Sequence, residues 1–383
     1  MIKTNKKWAI AIMLLLLIAV TGCSNKKINE ADVNTEDINE SSEDINEVSN
    51  QDGKRIVVDG AGREVEIPED VESIICWNVG ALRYTSYMQA QDLVVGVEDY
   101  EKEQAFTRPY NYVNFELFKD LPIVGSNGEH YLEEAIAVGP DIIIMSALDK
   151  GDADAIEEAT GIPVVLVPGS DKMMDENAYE TFRIMGEVYK KEDRATELMN
   201  YLDSIKEDLE SRTGDIAEED KPTVYVGGVS FKGAHGLDGT EAFYGPLHWI
   251  NAKNLANETD QNGPFNADLE QILEWDPDVL FIDYNGLELI NESYEKDRDY
   301  YENLKAVQEG EVYSQISFRS FAANLDMALI NTYYAGKILY PESFQDIDPV
   351  QKADEIFNEL LGTDFYHVLK ENGYEFRKVT IGE

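Results

Sequence analysis

Residues 191–212 read KEDRATELMNYLDSIKEDLESR. At 3.6 residues per turn, Ala195, Leu198, Met199, Leu202, Ile205 and Leu209 fall on one narrow apolar stripe, and charged side chains fill the remaining surface. No Gly or Pro interrupts the stretch before Gly214. The spacing therefore predicts a helix of about 20 residues, roughly 30 Å long at 1.5 Å per residue. On either side lie segments of similar size in which short Val/Ile runs alternate with helical stretches. That symmetry predicts a strut joining two lobes; the plainer alternative is a surface helix of one large domain.

Outward from the strut, the first lobe is expected over 55–190 and the second over 222–383, after Lys221-Pro222 ends the connector. About 330 residues exceed the size at which one core stops growing, which favours two. Strands are expected at 55–59, 73–76, 94–97, 122–125, 141–145 and 163–167, then at 223–228, 278–283 and 311–314. Val/Ile runs of this kind between helices indicate parallel sheets covered on both faces. The fold class is thus α/β, with two Rossmann-like lobes joined by one long α-helix. An amphipathic helix over 349–362 is expected to close the chain.

The beginning of the chain carries Lys3, Lys6 and Lys7, then thirteen apolar residues from Trp8 to Val20, then Thr21-Gly22-Cys23. Thirteen is too short to span a bilayer and fits the apolar region of a secretory leader over 1–22. Val20-Thr21-Gly22-Cys23 resembles the lipobox of bacterial lipoproteins. The resemblance implies cleavage before Cys23, lipidation of its thiol, and anchorage on the outer side of the cell membrane. Residues 23–54 are acidic, repeat Glu-Asp-Ile-Asn-Glu at 36–40 and 43–47, and carry too little apolar surface to offset ordering; they are read as a disordered tether or a short helix outside the core.

The formal net charge is −44. Such a surface repels nucleic acid and anionic lipid, so protein partners are expected to be basic. Of the two cysteines, Cys23 is assigned to lipid, which leaves Cys76 a buried small hydrophobe without a disulfide partner.

In parallel sheets ligands sit beyond the carboxyl ends of the strands. In the first lobe those loops hold Trp77, Asn78 and Arg83, then a long loop over 98–118 with Arg108, Tyr110 and other aromatics, then His130 and 146–152. Arg83 suits a bidentate contact to a carboxylate, catecholate or oxyanion, and equally suits tying down its own loop. The aromatics with Arg108 suit a planar or chelated ligand. In the second lobe Gly227-Gly228-Val229-Ser230-Phe231-Lys232-Gly233-Ala234-His235-Gly236 has the glycine density of a close backbone approach, or of a flexible surface loop. No Gly-Lys-Ser/Thr follows, so it is not a phosphate loop. Tyr284, Arg319 and Asn324 complete the expected cleft. Each lobe also contains a Glu seven positions before a Pro-Asp pair: Glu133 before Pro140-Asp141, and Glu270 before Pro277-Asp278. Helix-dipole stabilisation explains either alone; the matched pair suits a basic, roughly symmetric partner.

Together with Val58-Asp59-Gly60-Ala61-Gly62-Arg63-Glu64-Val65-Glu66-Ile67-Pro68, Val94-Val95-Gly96-Val97 and the strut, these features resemble class III solute-binding proteins of ABC importers, which serve ferric siderophores, haem and cobalamin. The resemblance covers about 56–383. It implies a monomer that binds a small guest between the lobes and docks through Glu133 and Glu270 on arginines of a permease dimer worked by its ATPase. Four histidines are too scattered to cage a bare metal ion, and no resident cofactor is expected. Arg83, Arg108, Lys232 and Arg319 with many tyrosines fit an iron(III) complex of siderophore type. Haem, a corrinoid and an oxyanion such as molybdate are the alternatives. An extracellular hydrolase is the rival of another class, against which stands the absence of Gly-x-Ser-x-Gly, His-Glu-x-x-His and dinucleotide motifs.

Overall fold

The computed structural model describes residues 53–169 and 172–383. The leader over 1–22, the lipidation site Cys23, and the tether up to residue 52 lie outside the described residues.

The run from Val58 to Pro68 is explained at once. Strands β1 (Lys54–Val58) and β2 (Glu64–Pro68) form an antiparallel hairpin of their own. Asp59 accepts the N–H groups of Ala61 and Arg63 and pairs with Arg63 Nε at 3.0 Å, while Gly60 N–H donates to Leu166 O. A run expected to open the main sheet is instead a clip laid against it.

The first sheet contains β3 (Ile74–Trp77), β4 (Val94–Glu98), β5 (Ile123–Ser126), β6 (Glu129–His130), β7 (Ile142–Ser146) and β8 (Val164–Val167), in the order β6-β5-β4-β3-β7-β8. All pairs are parallel except β5–β6. Helices α1 (Ala81–Tyr87), α2 (Pro109–Phe118), α3 (Leu132–Val138) and α4 (Lys150–Thr160) make the crossovers, and α5 (Glu176–Tyr189) follows β8 and leads out of the lobe. Strand order reverses between β3 and β7, so the crevice of such a sheet opens beyond the carboxyl ends of those two strands.

The strut is α6 (Glu192–Thr213), 22 residues or about 33 Å at 1.5 Å per residue. Ala195, Leu198, Leu202, Ile205 and Leu209 are buried, and Met199 is half-buried at the edge of the stripe. An arginine pins each end. Arg194 reaches Tyr87 O in the first lobe and Glu359 Oε1; Arg212 reaches Ser343 O and Asp346, both at 2.7 Å.

The second lobe runs through β9 (Thr223–Gly227), β10 (Gly239–Ala242), α7 (Gly245–His248), β11 (Lys253–Asn254), β12 (Gly263–Asn266), α8 (Leu269–Trp275), β13 (Val279–Asp283), α9 (Tyr284–Lys296), α10 (Arg298–Glu302), α11 (Lys305–Glu309), β14 (Val312–Gln315), α12 (Leu325–Leu339), α13 (Pro349–Leu361) and α14 (Tyr366–Glu371). Its parallel sheet has the order β11-β9-β13-β14, beside a separate β10–β12 hairpin. Among the described residues no strand pairing joins the two main sheets. One apolar cluster nonetheless runs through both lobes by way of α1, α5, α6, α12 and α13.

The repeated Pro-Asp has a structural meaning. Asp141 Oδ2 accepts the N–H groups of Glu72 and Ser73 just before β3, and Asp278 Oδ2 accepts the N–H and hydroxyl of Thr223 at the start of β9. In each lobe the Asp ties down the start of the lobe's first parallel strand.

Two expectations are corrected. Residues 98–118 are not one long loop: a short turn at Asp99–Lys102 leads into α2, which begins with Pro109. Aromatic residues occur around that helix, so no apolar stripe betrayed it. The glycine density at 227–236 reflects backbone packing in part, while Lys232, Gly233 and Ala234 form an exposed surface loop. Gly228, at φ 80, lies directly against Gly286, where an added Cβ would meet Gly228 Cα at 2.3 Å and His235 O at 2.7 Å. Gly286→Ala is expected to cost about 2–3 kcal/mol, in the range for overpacking, and urea unfolding measures it; an unchanged midpoint would mean the loop gives way freely.

Candidate functional site

The carboxyl ends of β3, β7 and β8 surround a cavity of about 390 Å³. Val79 and Gly80 follow β3, Ser146 ends β7, and Gly169 follows β8; Lys172 and Asn177 lie beyond, and Ala322 comes from the second lobe. The cavity therefore sits at the strand-order reversal and is closed by the facing lobe. A second cavity, of about 300 Å³, shares Lys172 and Asp175 with it and continues along Glu241, Phe243, His248 and Trp249 of the second lobe.

Arg83 is the hinge between the two sides. It is 1% exposed, and it donates from Nη1 to Ala323 O at 2.7 Å and from Nη2 to Ser320 O at 3.2 Å and Phe321 O at 2.5 Å. The loop it holds turns sharply, with Phe321 at φ 50 and Ala322 at φ 65. With both Nη atoms so engaged, Nε–H is left buried without an acceptor among the described residues. Arg83 thus ties down a loop, as one sequence reading held, but the loop belongs to the opposite lobe, and the same residue lines the cavity.

The other expected site residues are placed as follows. Trp77 is fully buried, donates Nε1–H to Val124 O and stacks on His130 at 4.5 Å, so it supports the rim from beneath. Asn78, at φ 65, stands beside the lining residues Val79 and Gly80, and its Oδ1 accepts from His130 Nε2 at 3.1 Å. Arg108 and Tyr110 are buried. Arg108 donates to Tyr100 O and Glu103 O, and Tyr110 donates to Glu101 at 2.6 Å. Both serve the joint between lobes: Phe321 stacks on Tyr100 at 4.3 Å with the Arg108 guanidinium over its ring at 5.0 Å. Phe106 meets Tyr374 and Tyr112 meets Phe365, so these aromatics pack protein rather than guest.

Lys232 is exposed at φ 53 and His235 stacks on Phe231 at 4.0 Å; neither lines the two cavities. Tyr284 donates to Glu375 O and stacks on Tyr374, holding the end of the chain. Arg319 pairs with Glu241 through Nη2 at 2.6 Å and Nε at 3.1 Å, and so sets a cavity wall. Asn324 is buried and ties the loop to itself through Phe318 O and Ser320 O. Burial pushes Asp283, which accepts from Ser317 and from Asn285 N–H, up to about 7 despite those bonds and Arg319. Burial likewise lifts Asp326 to about 6, with Arg83 opposing.

Sequence reasoning missed Lys172, Asp175, Glu241, Phe243 and His248. Lys172 and Asp175 follow the buried run that ends at Val167, so the carboxyl-end rule pointed to them. Glu241 lies in β10 and Phe243 follows it, and the strand's Gly-Thr-Glu-Ala carries no strand signature. Glu133 and Glu270 are exposed in the first turns of α3 and α8, the latter capped by Asp268.

A family model for periplasmic binding proteins matches residues 86–315, more than half of the chain. Molybdate-binding protein MolA of Haemophilus influenzae is 21% identical over 333 residues, covering 81% of this chain and 92% of that protein. Fe(3+)-citrate-binding protein YfmC of Bacillus subtilis is 25% identical over 315 residues, covering 81% of this chain and 90% of that protein. In fold the chain is similar to a periplasmic solute-binding protein of Veillonella parvula (TM-score 0.66, 16% identity, 81% of this chain and 94% of that one). It is similar also to MolA bound to molybdate (TM-score 0.63, 19% identity, 81% and 98%). The two-lobed α/β architecture and the family match agree: the chain belongs to the periplasmic binding protein family, as a class III solute-binding protein of an ABC importer and not an enzyme.

Proposed function

We propose that this protein captures an anionic iron(III) complex, of the siderophore or hydroxycarboxylate kind, between its lobes and delivers it to a permease dimer worked by an ATPase. In this reading it stands on the extracytoplasmic face, held to the membrane through Cys23, and presents Glu133 and Glu270 to the permease. The observation that carries the choice of an anion is the charge of the cavity lining: among the described residues, Arg83 and Lys172 stand there against one carboxylate, Asp175. An anionic guest entering there meets a net positive wall. The likeness to a Fe(3+)-citrate-binding protein supports iron as the cargo.

A small oxyanion is the second reading, favoured by the likeness to a molybdate-binding protein and by the modest cavity. Titration of the full mature chain against iron(III) citrate, iron(III) hydroxamate and catecholate complexes, haem, cobalamin and molybdate decides. A ligand at a hundred times its Kd stabilises the fold by about 2.7 kcal/mol, so the correct guest is expected to raise the thermal midpoint by several degrees. A rise with molybdate alone would transfer the assignment to the oxyanion, and a rise with haem alone would reject both.

A further inference from the structure

The second cavity differs in character from the first. Phe243, His248 and Trp249 form its wall, with ring centroids 6.4 Å apart for Phe243–His248 and 5.6 Å for His248–Trp249, both edge to face. Phe243 is 50% exposed although its neighbours Ala242 and Tyr244 are buried. Its backbone is left-handed at φ 57, with the N–H held by Asn257 Oδ1 at 2.7 Å. A bulky residue seldom adopts that conformation, and an apolar ring held into solvent by it gains nothing from the fold. Opposite Ala242 on the β10–β12 ladder is Gly263, where an added Cβ would meet no atom within 4 Å, so the space before the rings is open. Partial burial draws the His248 imidazole below its ordinary pKa.

Charge decides what kind of group fits. Lys172 and Asp175 both line this compartment, and the carboxylate of Glu241 is held by Arg319, so its charges offset one another. A flat neutral ring meets edges and faces there suited to aromatic pairing. We propose that Phe243, His248 and Trp249 form a second subsite that receives an aryl arm of an iron(III) chelate whose anionic centre lies over Lys172 and Arg83. The inference rests on the iron-chelate reading and adds a selectivity to it, for chelates bearing aryl rings.

Calorimetric titration of the full mature chain with iron(III) tris-catecholate and with iron(III) citrate, which has no ring, tests it in wild type, Phe243→Ala and His248→Ala. Loss of one aromatic contact corresponds to about tenfold in affinity at most, so Phe243→Ala is expected to weaken the catecholate complex about five- to tenfold and to leave citrate within about twofold. His248→Ala, on an exposed side chain, is expected to act in the same direction. Equal losses for both complexes, no loss for either, or binding of citrate without catecholate would overturn the subsite while leaving the iron assignment standing. If neither complex binds wild type, the iron reading falls and the subsite falls with it.

Discussion

Cells carrying Glu133→Ala together with Glu270→Ala are expected to take up the cargo no faster than cells without the protein, while its affinity for cargo stays within about twofold of wild type. Both carboxylates are exposed, each in the first turn of a short helix leading into the Pro-Asp that anchors its lobe. The anchoring is done by Asp141 and Asp278, not by the glutamates, so their removal leaves the strands in place. Neither glutamate lines the ligand cavities. A single exposed ion pair contributes only about 0.2–1 kcal/mol, so one substitution is expected to slow uptake partially. On the proposed docking, losing both removes the two-point geometry that would orient the protein on its permease. Uptake of isotopic iron, beside calorimetry on the purified double variant, separates docking from binding; a wild-type rate in the double variant would refute the docking role.

Arg83→Ala is expected to do the reverse, damaging the binding protein itself. The substitution removes the Arg83 donor from three carbonyls of the 320–323 loop, of which Ser320 O keeps Asn324 Nδ2, and removes a guanidinium over the Tyr110 ring at 5.2 Å. Breaking a buried, charge-assisted set of this kind costs about 3–5 kcal/mol. Because Ala322 of that loop lines the cavity, affinity is expected to fall as well. Arg83→Lys keeps the charge but not the fork, and is expected to recover less than half of the stability. Urea unfolding with ligand titration on the same samples distinguishes the roles. Lost stability at full affinity would make Arg83 a clasp only, and full stability would deny the clasp.

Much of the architecture was legible along the chain. The stripe from Ala195 to Leu209, the Val/Ile runs and the Pro-Asp pairs each report a local periodicity or a local bond, and the structure places elements at all of them. The site was far less legible. Trp77, Arg108 and Tyr110 have the chemistry of ligand contacts, yet Trp77 is spent on supporting the rim and the other two on packing the joint, because aromatic and guanidinium groups serve protein packing as well as a guest. Lys172, Glu241, Phe243 and His248 form the cavity walls without any motif to mark them.

The sequence by itself determined the two-lobed α/β frame, the rod between its halves and the acidic character of its surface, since repeat period and charge are properties of neighbouring residues. Tertiary structure alone decided which side chains meet across the cleft. Arg83 finds its partner 240 positions away in Ala323, and no local pattern encodes a contact that exists only after both sheets have packed on α6 and α12.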